Sequence, residues 1–349
     1  MNRVCAVLAM LALGFWMLPC AQVHAAGKEL FVYNWSEYMP DSVLEDFEEE
    51  TGIKVIMSTY DSNEALYAKI KMVDGAGYDL IVPSTDFVSK MIKDGLLQPL
   101  DKSKLSNFGQ LDPHILNQAF DPGNIYSVPY MWGSTGIAIN TTNPAAATVT
   151  SFEDLWKPEF KGKLLLPNDM RGVLAIGLKR LGYSLNETDP AKVKEACALL
   201  QELVPSVRVF DSDSPKQALL NNEVVAAVLW NGEAYIASTE NEAIRYIYPR
   251  EGFSLWVDNL CIPKNAANVD NAHTFINYLL RPEVAAFICQ GMGYSTPNDG
   301  AQALLPEGVR TNPIVYPADA DVSRGEFEVD LGPAVKTYEE CWMQLKTAQ

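Results

Sequence analysis

Short apolar runs rich in β-branched and aromatic residues alternate with stretches of helical periodicity along most of the chain. Residues 30–34 read as a strand, and residues 41–51 as a helix introduced by Pro40 and stopped by Gly52. Residues 53–58 and 63–72 repeat the pair, and residues 78–83 and 86–94 repeat it again, ending at Gly95. This βαβαβ rhythm predicts a mostly parallel sheet with helices on both faces. Ligands of such sheets sit beyond the carboxyl ends of the strands, so the strand exits are where chemistry is to be sought.

A second block follows, with strands at 163–166, 207–210, 224–230 and 245–248 and helices at 172–181, 191–203 and 216–221. Residues 254–261 then read as a strand, and 271–280, 282–290 and 331–346 as helices. No stretch between the blocks has the composition of a flexible linker. Residues 136–140 and 255–261 look like strands instead, and two strand-like crossings would hinge two lobes around a cleft. The predicted fold is therefore α/β and two-lobed, each lobe a mostly parallel sheet flanked by helices. The expected division is 27–137 with 259–305 in lobe 1, and 138–258 with 306–349 in lobe 2.

The first residues change the picture by assigning a compartment. Arg3 is the only charge before Lys28, an apolar run covers 4–18, and Val23, Ala25 and Ala26 suit signal peptidase. Residues 1–26 thus read as a secretory signal cleaved near Ala25 or Ala26. The apolar run is shorter than the roughly 20 residues of a membrane span. Leu18-Pro19 before Cys20 fits lipid attachment poorly, and no later stretch is long and apolar enough to span. The formal charge is −17, and loss of Arg3 makes it −18. Such a surface repels nucleic acid and anionic lipid and attracts cations.

Cys5 and Cys20 fall in the signal. Cys197, Cys261, Cys289 and Cys341 allow up to two disulfides in three connectivities, none of them required by a core of this size. His114 and His273 have no metal-ligand spacing, so no dedicated metal site is expected. There is no G-x-S-x-G, H-E-x-x-H or P-loop, and Gly75-Ala76-Gly77 lacks the third glycine of a dinucleotide fingerprint. Neither an enzyme nor a cofactor is supported.

What remains is a set of strand exits. Trp35, Ser36 and Tyr38 follow the first strand. Packing of the lobe surface is the plain role for such rings, but two aromatics and a hydroxyl together favour a site. Ser84 and Asp86 follow the third strand, where either residue can cap the next helix, contact a ligand, or do both. Ser254, Trp256 and Asp258 share one face of a strand, with the last two about 6.6 Å apart. Trp256 could simply be core. An aromatic wall beside a carboxylate is nevertheless what an alkylammonium needs. Each buried methylene is worth about 0.8 kcal/mol. The ring face adds roughly 0.5–2 kcal/mol of cation–π attraction, and the carboxylate adds a charge-assisted hydrogen bond. Trp230 and Glu233 repeat the unit after another buried strand. The residues alone point to a small organic cation.

Five stretches carry a resemblance: Tyr33-Asn34-Trp35-Ser36-Glu37-Tyr38, Glu50-Thr51-Gly52-Ile53-Lys54-Val55, Tyr78-Asp79-Leu80-Ile81-Val82-Pro83-Ser84-Thr85, Leu229-Trp230-Asn231-Gly232 and Gly293-Tyr294-Ser295-Thr296-Pro297-Asn298. Through them the chain resembles the bacterial periplasmic polyamine-binding proteins of ABC importers over almost its whole mature length. The resemblance implies a periplasmic, monomeric protein without cofactor that hands spermidine or putrescine to an inner-membrane permease. It implies that Trp35, Tyr38, Trp230 and Trp256 form aromatic walls and that Ser36 and Ser84 make polar contacts. It further implies that Asp258 is the principal ammonium ligand, with Asp169 a second acid and Tyr294 an aromatic near the cleft. Four positions depart from the family: Asp86 replaces a Tyr, Gly172 a Glu, Glu233 a small residue or Asp, and Glu328 a Gln. The preferred polyamine is left open by these changes. Two other readings share the fold: a sensor subunit reporting polyamines to a membrane receptor, and a binder of another small cation such as thiamine.

Overall fold

The computed structural model describes residues 28–348, so the expected signal segment and its cleavage site lie outside the described residues. Among the described residues ten strands form one sheet. They are β1 (Glu29–Trp35), β2 (Lys54–Tyr60), β3 (Leu80–Ile81), β4 (Ser127–Asn140), β5 (Leu164–Leu166), β6 (Val207–Phe210), β7 (Ala226–Trp230), β8 (Ile244–Ile247), β9 (Phe253–Cys261) and β10 (Gly325–Phe327). The spatial order is β2-β1-β3-β9-β4-β7-β5-β6, with β8 beside β4 and β10 beside β9. Pairs β1–β2, β1–β3, β5–β6, β5–β7 and β9–β10 are parallel. Every antiparallel ladder involves β4 or β9.

Parallel pairing requires crossovers, and they are supplied by α1 (Asp41–Thr51), α2 (Asn63–Met72), α4 (Met170–Arg180), α5 (Pro190–Leu203) and α6 (Pro215–Leu220); α3 (Thr85–Lys93) follows β3, α7 (Asn231–Glu240) follows β7, and α8 (Val269–Leu279) and α9 (Pro282–Met292) lie beyond β9. Local signals set their ends. Gly52 takes a φ of 70° and returns its N–H to the Glu48 carbonyl at 2.8 Å, which stops α1. The Ser62 hydroxyl accepts from the Ala65 N–H and starts α2. Asp169 caps α4 by accepting from the N–H groups of Arg171 and Gly172 at 3.0 and 3.1 Å. Among the described residues no helix is long and apolar enough to cross a membrane.

Two large cores flank the centre of the sheet. One gathers Leu30, Val32, Phe47, Leu80, Leu260, Phe275 and Ile276, and the other Phe152, Phe160, Leu164, Leu174, Val228 and Tyr338. Strand β4 serves both, giving Val128 and Met131 to the first and Ile137 and Ile139 to the second. The sequence pattern locates only the last part of this strand, because Pro129 and Gly133 interrupt its first part. Pro129 sits where the β4–β9 register shifts, a place where a missing N–H donor is tolerated. Of the four cysteines, Cys197 and Cys341 form a disulfide that ties α5 to the C-terminal helix Val335–Thr347, while Cys261 and Cys289 are free and buried.

Candidate functional site

A cavity lies where the strand exits of the two halves face each other. Its space not filled by protein atoms is about 730 Å³, part of it open solvent. All twelve residues singled out from the sequence line it. Trp35, Ser36 and Tyr38 come from the exit of β1, Ser84 and Asp86 from the exit of β3, and Trp256 and Asp258 from β9. Asp169 enters after β5, Trp230 ends β7, Glu233 follows it, Glu328 comes after β10, and Tyr294 after α9.

Asp258 is the best-held of these. It is 4 % exposed, and its two oxygens accept from the Tyr38 hydroxyl at 2.7 Å and the Ser84 hydroxyl at 2.5 Å. Ser84 stands at the N-cap of α3, but its hydroxyl makes no capping bond and serves Asp258 instead. The aromatic walls surround this carboxylate. Tyr294 packs on Tyr38 and Trp256 with ring centres 5.1 and 5.4 Å away, and Trp35 meets Trp230 across the cleft at 6.1 Å. The Trp35 indole N–H donates to the Val82 carbonyl at 3.0 Å, which fixes the ring. The Trp256 indole N–H is buried without a partner among the described residues.

Close approach of rings and backbone explains two glycines. A Cβ on Gly133 would lie 2.6 Å from Trp256 ring carbons, and a Cβ on Gly232 would run into the Tyr294 ring. Glycine at these two positions makes room for the walls.

The cavity is strongly acidic, with seven lining carboxylates against one lining guanidinium. Burial pushes the Asp258 carboxyl up to about 7; the Ser84 and Tyr38 hydroxyls oppose the rise, and the nearby Asp86 and Glu328 charges add to it. Burial raises Asp169 to about 7, helped by Glu64, and Glu64 itself to about 7. Asp86 rises to about 6 by burial, held back by Arg171. Glu328 and Glu233 are raised for the same reason, opposed by Arg171 and Lys216 respectively. The Ser254 hydroxyl donates to Glu328 at 2.6 Å, and Lys216 reaches Glu233 at 3.1 Å and also pairs with Glu37.

These shifts have a stability consequence whose sign is fixed. An unfolded Asp or Glu titrates near 4, so from about pH 4 to 7 the folded state holds more protons than the unfolded state. Stability of the empty protein therefore falls as pH rises through that window. The urea midpoint is expected to be higher at pH 5.5 than at pH 8. A midpoint that rises over this interval contradicts the assigned environments.

Several lining residues escaped the sequence reading: Glu64 in the first turn after β2, Arg171 after β5, and Ser212 and Asp213 after β6. The strand-exit rule applied to every strand, rather than to those followed by aromatics, would have reached them. Contacts across the cleft also recur there. Ser36 donates to Asp213 at 2.7 Å, Asn168 to Asp61 at 3.1 Å, and Arg171 lies 3.5 Å from Asp86.

Comparison with known proteins agrees with the geometry. The family of bacterial extracellular solute-binding proteins matches residues 42–317. The spermidine/putrescine-binding periplasmic protein of Salmonella typhimurium is 46 % identical over 341 residues, covering 97 % of this chain and 98 % of its own. A putrescine-binding periplasmic protein of Escherichia coli is 36 % identical, covering 93 % of each chain. A solved spermidine/putrescine ABC transporter substrate-binding protein of Streptococcus pneumoniae superposes with a TM-score of 0.76 at 40 % identity, covering 92 % of this chain and 99 % of that one. With a fold, a cleft and relatives that all agree, the chain belongs to the bacterial extracellular solute-binding proteins.

Proposed function

We propose that this protein captures a linear polyamine of the spermidine or putrescine class in the periplasm and delivers it to an inner-membrane ABC permease. The observation that carries the reading is the cavity itself, in which seven carboxylates line a space walled by Trp35, Tyr38, Trp230, Trp256 and Tyr294. A metal ion would use the carboxylates alone. A polyamine uses both, its methylenes against the rings and its ammonium groups on the acids. Asp258 is the principal ammonium ligand, and the other eleven predicted residues complete the site. The reading is capture and release, with no reaction of the ligand.

The reading includes a motion. Residues 27–137 with 259–305 form one lobe, and 138–258 with 306–349 the other, hinged on β4 and β9. Two separate cores joined by β4 support a two-lobed arrangement, as do the polar contacts across the cleft. A ligand that touches both lobes stabilises the closed form over the open one by its differential contacts. Names of close relatives support the compartment and the permease partner.

Thermal shift against putrescine, cadaverine, spermidine, norspermidine and thiamine tests the ligand class. At least one linear polyamine is expected to raise the melting temperature. The shift is expected to be larger at pH 8 than at pH 5.5, because ammonium binding requires ionised acids whose pKa values burial has raised. A shift from thiamine alone, or one larger at pH 5.5, overturns the assignment.

A further inference from the structure

The cavity that collects carboxylates also holds a cation of the protein's own. Arg171 lies in the first turn of α4 and is 5 % exposed. One guanidinium nitrogen donates to the Val329 carbonyl at 3.0 Å and another to Oδ1 of Asn186 at 2.7 Å. The group sits 5.7 Å from the centre of the Tyr338 ring. Across the cleft it lies 3.5 Å from Oδ2 of Asp86, which is equally buried. Its position is therefore fixed from both sides, and its charge is permanent.

Arg171 and Asp86 also form a wall. Both line the cavity on one side and, on the other, a separate groove that contains Lys90, Asp330 and Glu339. Glu64 lines both spaces as well, and Oδ1 of Asp86 and Oε1 of Glu64 are buried with no hydrogen-bond partner among the described residues. Two unmet acceptors close together suit an ammonium group.

We infer that Arg171 is the end-stop of the site, closing the cleft beyond a terminal-ammonium position made by Glu64 and Asp86 and so limiting the length and charge of the polyamine accepted. This rests on the polyamine reading above. A ligand running from Asp258 to the Glu64–Asp86 pair ends against the guanidinium. A longer polyamine must bring its next ammonium up to a fixed like charge. Glutamine at position 171 removes both the charge and the reach of the side chain, and leaves Oδ2 of Asp86 free for a further ammonium.

The test is calorimetric titration of putrescine, spermidine and spermine into the mature wild type, R171Q and R171K. The wild type is expected to bind spermine at least about tenfold more weakly than its best shorter polyamine. In R171Q the affinity ratio of spermine to that shorter ligand is expected to rise by at least about tenfold. R171K keeps the charge but not the planar fork that binds Val329 and Asn186, so its ratio is expected to fall between those of the wild type and R171Q. If R171Q does not fold, R171M fills similar volume without the charge and leaves Asp86 intact, and the same rise is expected. Selectivity is the informative readout, because a purely structural role would weaken all three ligands alike. Spermine bound by the wild type as tightly as the shorter ligands, or a ratio unmoved in the variants, overturns the end-stop while leaving the polyamine reading intact. A wild type that binds none of the three overturns both.

Discussion

Replacing Asp258 by Asn is expected to weaken polyamine binding by about 2–5 kcal/mol, which is roughly thirty- to four-thousand-fold in Kd. The amide keeps the shape of the side chain and removes the charge that the ligand pairs with. Two fixed hydroxyls, from Tyr38 and Ser84, already direct both carboxylate oxygens, so little rearrangement is available to recover the loss. The packing of the Trp256 and Tyr294 rings on each other does not depend on the charge. Calorimetry on the D258N protein measures the effect. The same variant carries an internal control, because a buried carboxyl pushed up to about 7 is a burden on the empty fold at alkaline pH. D258N without ligand is therefore expected to be at least as stable as the wild type at pH 8. An unchanged Kd removes Asp258 from the site. A lost Kd accompanied by a collapsed fold makes its role structural.

Removal of the Cys197–Cys341 bridge by the C197A/C341A pair is expected to lower stability by about 2–5 kcal/mol. The bridge joins residues 144 apart in sequence, so it restrains a large part of the unfolded chain. It also ties α5 to the C-terminal helix over the second core, whose members include Val193, Leu200, Tyr338 and Leu345. Urea unfolding with and without reductant measures the loss, and the wild type under reductant is expected to approach the variant. Both sulfurs lie in that core and neither residue lines the cavity. Affinity at 25 °C is therefore expected to be unchanged in the folded variant. Equal midpoints for oxidised and reduced protein contradict the stabilising role.

How much of this was legible in the chain depended on whether a local signal coincided with a tertiary need. Helix α1 was read to the residue because Gly52 supplies a left-handed stop that owes nothing to the rest of the fold. Strand β6 was equally clear, being a short β-rich run between helices. The first part of β4 was hidden for a physical reason. Gly133 is there to let the Trp256 ring approach the backbone, and a residue chosen for a neighbour's volume sends no strand signal. Strand β10 is three residues long and is held by pairing with Phe253–Leu255, a partner about seventy positions away that no local pattern announces. The site was legible where alternation within one strand put Trp256 and Asp258 on a single face. The reach of Glu328 and Tyr294 into the same cavity came from the resemblance, since neither lies at a strand exit that the pattern revealed. Arg171 was missed because the chemistry sought was acid and aromatic. A resident base becomes visible only when its neighbours Asp86, Asn186 and Val329 are seen around it.

The central claim is that a linear polyamine sits between the acids and the rings. Its most direct test is calorimetric titration of putrescine and spermidine into the mature wild-type protein at pH 8. The account predicts saturable binding of at least one of them at a single site per chain. A flat titration with both, in a protein shown to be folded, would contradict it.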